Sequence, residues 1–466
     1  MEEKEIQQYE KMVLTPADKL IAKLAVPTII SMMISMIYNL VDAFFVGKLG
    51  TSASAAIGIL MGIQTVFQAV GFMCGHGSGS IISRKLGEGK IKDASKYVSS
   101  ALFICLLISC CIMLVEIFTK TPLLLFLGST DTILPYALNY GIFIMLSGPA
   151  LSCSCVLNNV MRYEGRAFYA MIGLVSGGVL NMALDPVFMF GLNMGISGAG
   201  LATALSQYIS FFILLYMFLS GKTMSKISLS NISTCPSIYG HIFKNGFPSL
   251  IRQSLNTVSS MTLNIAAKPY GDPAIAAMAI VGRLAMFFGS FMIGMGQGYQ
   301  PVAAFNYGAG KYERIRNGFA FTLKTAECIL SIVAILGFLF PAPLISLFRD
   351  DPAVIVIGKN ALRFQCVALV VQPVGVMSNM TFQSIGKSRI ASFLATLRSG
   401  LYYIPILLIL PKIIGITGIE SAQMLSDILT FLTAGPIIYN FFSNLPHKDE
   451  ERDIDREYKK AVRKKP

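Results

Sequence analysis

Two carboxylates, Asp42 and Asp185, lie inside apolar stretches of the chain. An ionisable group at mid-membrane costs about 2.5 to 3.5 kcal/mol on insertion scales, so each needs a reason to be there. Tyr38 and Asn39 stand four and three residues before Asp42, and Asn181 stands four before Asp185. On a helix those spacings put each polar residue on the face of its carboxylate. Tyr140, Asn158 and Thr203, in neighbouring apolar stretches, add further oxygens. Pro186 removes a backbone donor next to Asp185, which can bend that helix and deprive the carbonyl of Met182 of its partner. Carboxylates among amide, hydroxyl and freed carbonyl oxygens suit a proton, or a Na+ held by Asp42, Asn181, Asp185 and Thr203.

The second half of the chain carries the opposite sign. Arg252, Arg283, Lys324, Arg363 and Arg398 fall within apolar stretches, with Glu327, Glu420 and Asp427 available as partners. Lys324 and Glu327, three residues apart, are expected to neutralise each other on one helix face. Structural pairing is the expectation for most of these charges. Arg252 and Asp427 remain functional candidates because both fall well inside their helices.

The elements that position these groups follow from composition. Of 466 residues, 54% are apolar and 14% charged, against about 25% charged in an average soluble protein. An ordinary soluble enzyme is excluded, and a polytopic membrane protein is indicated. Stretches long enough to span about 30 Å occur near 22–46, 54–83, 97–118, 134–160, 167–191, 196–220, 239–267, 275–305, 318–340, 354–383, 390–410 and 415–442, which predicts twelve transmembrane helices. Lys and Arg number fifteen in the loops after even-numbered spans and five after odd-numbered ones, which places both termini in the cytoplasm. Met1–Lys19 lacks the features of a cleaved signal peptide, so the first span is expected to persist.

Other chemistries fall away. The net charge of +13 is dispersed over short patches and a basic tail, a pattern that suits lipid headgroups and not nucleic acid. Nine cysteines lie mostly in apolar runs without CxxC spacing and read as free, buried small hydrophobes, with no metal site. GHGSGS at 75–80 sits inside an apolar helix with no Walker lysine after it, so its glycines indicate close helix packing. His76 within it reads as a packed polar residue. HExxH and GxSxG are absent, and a transporter without an organic cofactor is favoured over an enzyme.

The chain also repeats itself. MGISGAGLATALSQ at 194–207 realigns with IGITGIESAQMLSD at 414–427 with six identities, and Pro27/Pro248, Gly87/Gly308 and Gly165/Gly386 are each 221 residues apart. Six spans per copy is an even number, so both copies enter the membrane in the same sense, as in transporters that rock two halves around a midplane site. The expected organisation is an N-lobe over 1–220, a polar cytoplasmic linker over 221–238, a C-lobe over 239–445 and a charged cytoplasmic tail over 446–466. Neither acid is copied: Asp42 falls opposite Leu263 and Asp185 opposite Pro405.

NLVDAFFVGKLG (39–50), GGVLNMALDPVFMFG (177–191) and GISGAGLATALSQ (195–207), in this order on a twofold six-helix repeat, resemble the MATE family of multidrug and toxic compound extrusion transporters. The resemblance runs from about Leu14 to Asn444. It implies a twelve-helix V-shaped antiporter of the bacterial plasma membrane, functional as a monomer, that exports cationic lipophilic compounds in exchange for H+ or Na+. It also implies an N-lobe cation site at Asp42, Tyr140, Asn158, Asn181, Asp185 and Thr203. The sodium-coupled branch carries an acid in helix 7 where this chain has Asn256, and another in helix 10, where this chain has none, which leaves the N-lobe as the coupling centre. Flippases for lipid-linked saccharides share the superfamily, and Arg252, Arg283 and Arg363 keep that alternative open: arginines facing the substrate path would favour it, and arginines engaged within the C-lobe would favour the exporter.

Overall fold

A computed structural model describes residues 3–463 and is built from α-helix. A short helix α1 (Glu3–Tyr9) precedes α2 (Ala17–Gly47), α3 (Thr51–Gly87), α4 (Ile91–Phe118), the short α5 (Lys120–Phe126), α6 (Leu134–Tyr163), α7 (Ala167–Pro186) and α8 (Ile196–Leu219). Then follow α9 (Pro236–Ala267), α10 (Asp272–Gly308), α11 (Tyr312–Leu339), the short α12 (Pro341–Ser346), α13 (Pro352–Ser384), α14 (Ser388–Thr396), α15 (Tyr403–Ile414), α16 (Ile416–Ser443) and α17 (Asp453–Arg463). Among the described residues, eleven helices are long and apolar enough to cross a membrane, with α14 and α15 counted as one span through a π-helical turn at Leu397–Leu401. The helix expected over 239–267 is present as the 32-residue α9, but Gln253, Asn256, Ser260 and Asn264 make it more polar than the others.

The duplication is legible in backbone geometry. Gly165 and Gly386 both adopt positive φ, 75° and 84°, at the turns after α6 and α13. In the first turn Arg166 N–H donates to Met161 O at 2.8 Å, and in the second Lys387 N–H donates to Phe382 O at 2.9 Å, each pair 221 residues from its mate. The left-handed residue lets the chain reverse while the last helical carbonyls keep a donor, which is why glycine stands at both sites. Side chains repeat too. Asn158 donates to Ala170 O at 2.8 Å, and Asn379 donates to Ala391 O at 2.6 Å.

The chain divides into two compact units. The first comprises the residues up to Met12, Ile30–Leu250 and those from Arg452 on; the second comprises Val13–Ile29 and Ile251–Glu451. The division follows packing and not chain order, so the beginnings of α2 and α9 each pack with helices of the other repeat. In the first unit a buried core gathers Leu60, Ile63, Phe67, Ile144 and Met145 from α3 and α6. In the second, Ala274, Tyr403, Leu407 and Ile419 join α10, α15 and α16. All nine cysteines are free, but only Cys74, Cys105, Cys153 and Cys366 are buried; Cys111, Cys235 and Cys328 are exposed, which corrects the expectation of a mostly buried set.

Residues 221–238 are laid against α4 by Ser95 and Ser99, one helical turn apart, and by Ser100 beside them. Lys226 N–H donates to Ser95 Oγ at 3.0 Å, Ser228 N–H to Ser99 Oγ at 3.2 Å and Ser233 N–H to Ser100 Oγ at 3.0 Å. The fully buried Glu164, in the turn between α6 and α7, accepts from Met224 N–H at 2.7 Å, from Ser225 N–H at 3.1 Å and from the Ser225 hydroxyl. In the tail, α17 buries Ile454 and Asp455, stacks Tyr458 on Tyr9 of α1 with ring centroids 4.5 Å apart, and receives a hydrogen bond from Tyr9 at Asp455. Part of the segment expected against lipid headgroups is therefore committed to the protein.

Glu164→Ala is expected to lower the melting temperature of the detergent-purified protein by several degrees, because each buried donor left without an acceptor costs about 1 to 3 kcal/mol. Unchanged melting would mean that water replaces the carboxylate. Burial pushes the Glu164 carboxyl above its ordinary value, against the pull of Ser225, the Met224 and Ser225 N–H groups and the charge of Arg166. A raised folded-state value means the stability tied to this proton is full below the unfolded value, about 4.3, and is lost as pH rises through the folded one.

Candidate functional site

In the first unit, helical spacing and close approach assemble the acids. Tyr38 and Asp42 share a face of α2, and Asn181 and Asp185 share a face of α7. A Cβ at Gly178 would lie 3.2 Å from the Tyr38 ring, so α2 meets α7 at the level of these residues. Likewise a Cβ at Gly200 of α8 would lie 3.2 Å from the ring of Tyr140 on α6. This contact brings the Tyr140 hydroxyl to Thr203, with Asp42, Asp185 and Tyr38 as its electrostatic neighbours. Asn181 Nδ2 donates to Thr203 Oγ1 at 3.2 Å.

What remains is a surplus of acceptors. Asp185 is 0% exposed and neither of its oxygens meets a donor; the same holds for Asp42 Oδ1 and Asn181 Oδ1 among the described residues. Four buried oxygens without a donor are costly unless an electropositive group meets them. Directly after Pro186, Val187–Gly191 forms a π-helical turn, a register change of the kind that often marks working sites. No group of three or more His, Cys, Asp and Glu side chains suited to a metal occurs among the described residues. Any cation here would be held by mixed carboxylate, amide and hydroxyl oxygens.

Six of the eight N-lobe candidates come together: Tyr38, Asp42, Tyr140, Asn181, Asp185 and Thr203. Two do not. Asn39 is exposed and donates to Ser35 O at 2.7 Å. Asn158 spends its amide on Ala170 O, and Asp185 lies fifteen residues further along α7, about 22 Å away at 1.5 Å per residue. Since Asn379 makes the matching bond in the other repeat, Asn158 is a scaffold residue.

In the second unit one buried acid finds a cation from the expected set. Asp427 of α16 binds Arg398: Arg398 Nε donates to Asp427 Oδ1 at 2.6 Å. The Gln372 amide, oriented with its oxygen toward the guanidinium, accepts from the two terminal nitrogens at 3.2 and 2.7 Å. Arg252 donates to Asn379 Oδ1 at 3.3 Å, and Arg363 lies over the Phe338 ring at 5.4 Å. Asn256 Oδ1 accepts from Ser399 Oγ at 2.8 Å. Among the described residues Lys324 and Glu327 form no ion pair, contrary to expectation. The sequence reading passed over Gln365, Gln372 and Asn379, a row of amides at heptad spacing on α13 and the signal by which this network could have been found. It also passed over Glu116, 8% exposed near the end of α4 with Oε2 unpartnered, a lone acid in an apolar run.

The MatE family matches residues 27–187 and again 248–409, so the two matched stretches start 221 residues apart, the offset of the internal repeat. The chain belongs to the MatE family. It is similar to "Multidrug export protein MepA" of Staphylococcus saprophyticus, 29% identical over 89% of this chain and 92% of that protein. The protein of the same name from Staphylococcus aureus is 26% identical over 94% of this chain and 96% of its own. Among solved structures, a MATE crystal structure in complex with MaL6 superposes with a TM-score of 0.88 at 25% identity, covering 94% of this chain and 98% of that one. An outward-facing multidrug resistance MATE family transporter of the MOP superfamily superposes with a TM-score of 0.88 at 24% identity, over 93% of this chain and 98% of its own. This member of the MatE family is thus an all-helical, multi-pass membrane protein with the family's repeated fold.

Proposed function

We propose that the chain is a secondary active multidrug exporter. It moves cationic lipophilic compounds out of the cell in exchange for H+ or Na+, as a monomer in the bacterial plasma membrane with both termini in the cytoplasm. The acceptor surplus around Asp42 and Asp185 carries this reading: two carboxylates and an amide without donors attract either a cationic substrate or a proton or Na+. Competition for one set of oxygens couples the two fluxes. From the cytoplasmic side the ionised acids favour the cationic compound; from the outside H+ or Na+ neutralises them and lowers affinity for it. The relatives named as multidrug export proteins support export of multiple drugs. Of the three arginines on which the flippase alternative stands, Arg252 and Arg363 are engaged within the second unit by Asn379 and Phe338, which favours the exporter, while Arg283 is exposed.

The test is efflux of ethidium from energised cells expressing wild type or Asp42→Asn at matched membrane levels. Wild type is expected to clear the dye, and Asp42→Asn to fall to the empty-vector rate. Equal efflux by the two would remove Asp42 from the coupling site. Failure of both would sink the exporter reading and bring the flippase forward.

A further inference from the structure

Helix α9 exposes two strips of different chemistry. Val258, Met261 and Ile265, at spacings of three and four, are 46%, 57% and 69% exposed and suit lipid. Asn256, Ser260 and Asn264, at spacings of four, are also exposed, on another face. Amides and hydroxyls directed at hydrocarbon would go unsatisfied, so this second strip must meet water or a ligand inside the membrane. Its hydrogen-bonding sense is defined at Asn256: Oδ1 already accepts from Ser399 Oγ, which leaves the amide NH2 to be offered outward.

One residue before Ser399 stands Arg398, whose side chain is 30% exposed while that of its partner Asp427 is 1% exposed. A pair with a purely structural role has no need to leave its cation accessible within a span. The Ser426 hydroxyl donates to Arg398 O at 2.7 Å and fixes the π-helical turn that presents it. The strip contains amide and hydroxyl donors and no carboxylate, and at its Asn256 end the turn that carries Ser399 adds one accessible guanidinium. Guanidinium and amide N–H groups together recognise planar oxyanions.

We propose that Asn256 and Arg398 form an anion subsite that receives the carboxylate of an amphiphilic substrate, with Ser260 and Asn264 continuing the polar strip along α9. This rests on the exporter reading and adds to it a second point of recognition, opposite in sign to the acids of the first unit. Asp427 and Gln372 act as positioning residues that hold the guanidinium.

The experiment compares efflux of two dyes with one ring system, a rhodamine with a free benzoic carboxyl and its methyl ester. Wild type is expected to export both. Asn256→Val and the double variant Arg398→Gln with Asp427→Asn should each cut efflux of the free acid about tenfold or more, leaving the ester within about twofold. Both charges are removed together so that no buried carboxylate is stranded. Should the double variant not fold, Asn256→Val, on an exposed face, still decides. Unchanged efflux of the acid, or an equal loss for both dyes, would overturn the subsite, as would a wild type that exports the ester and never the acid. A wild type that moves neither dye would remove the exporter reading and the subsite with it.

Discussion

Asp185→Asn should abolish export and yet leave the protein as stable as the wild type, or more so. The residue is 0% exposed, neither oxygen has a donor, and no cationic side chain pairs with it among the described residues. Replacing a buried ionisable group that lacks a partner with a neutral one of the same shape relieves desolvation; even buried ion pairs replaced by well-packed hydrophobic residues have been neutral or stabilising by about 1 to 4 kcal/mol. Function pulls the other way, since the amide cannot take up a proton or attract a cation with a full charge. The two readouts separate the roles: ethidium efflux should drop to the vector rate while melting in detergent stays level or rises. Such a trade of stability for activity marks a working site. If melting fell and efflux persisted, Asp185 would be a structural residue and the coupling centre would lie elsewhere.

Much of this was open to inspection in the sequence because the membrane narrows the choices. Long apolar runs must become helices when every backbone group needs an internal partner, and the 221-residue offset forces two like bundles. The acids could be found for the same reason, as expensive exceptions within those runs. Asn158 was misplaced although depth alone would have separated it. On α6 it lies eighteen residues beyond Tyr140, about 27 Å along the axis, too far for both to serve one ion. Its bond to Ala170 O is a tertiary contact that no local pattern encodes.

The partner of Asp427 was hidden by a different cause. Helical spacing predicts neighbours on one helix, but Arg398, Gln372 and Asp427 converge from three elements, and the π-helical turn at Leu397–Leu401 shifts the register that would be used to count. Even the same-helix rule failed for Lys324 and Glu327, where neither charge is obliged to meet the other. In α9 the error was of emphasis: hydropathy found its length, while the strip of Asn256, Ser260 and Asn264 that sets it apart is seen only once exposure is known.

Gly246→Ala should prevent α3 and α9 from packing, whereas Gly240→Ala, six residues earlier on the same helix, should be harmless. A Cβ at Gly246 would lie 1.9 Å from Met73 O, and one at Gly77 would lie 2.2 Å from Ile242 O, so both helices depend on bare backbone where they cross. The obstacles are main-chain atoms that no rotamer change can move aside, and forced displacement of this kind costs about 1 to 3 kcal/mol, occasionally more. Gly240 has nothing within 4 Å, and alanine there gains up to about 1 kcal/mol of helix propensity. Since both substitutions act alike on the isolated helix, their difference in purified yield and melting temperature reports the crossing alone. The repeat supplies its own comparison. In the second unit α10 crosses the beginning of α2 through Gly298 and Ala25, the counterparts of Gly77 and Gly246, and there an alanine is accepted. If Gly246→Ala folded and exported normally, α3 and α9 would be able to adopt the spacing of that second crossing, and the closer approach in the first unit would be dispensable. Loss of folded protein would instead mean that the two crossings are not interchangeable, and that Gly77 in the GHGSGS segment is held for contact between backbones.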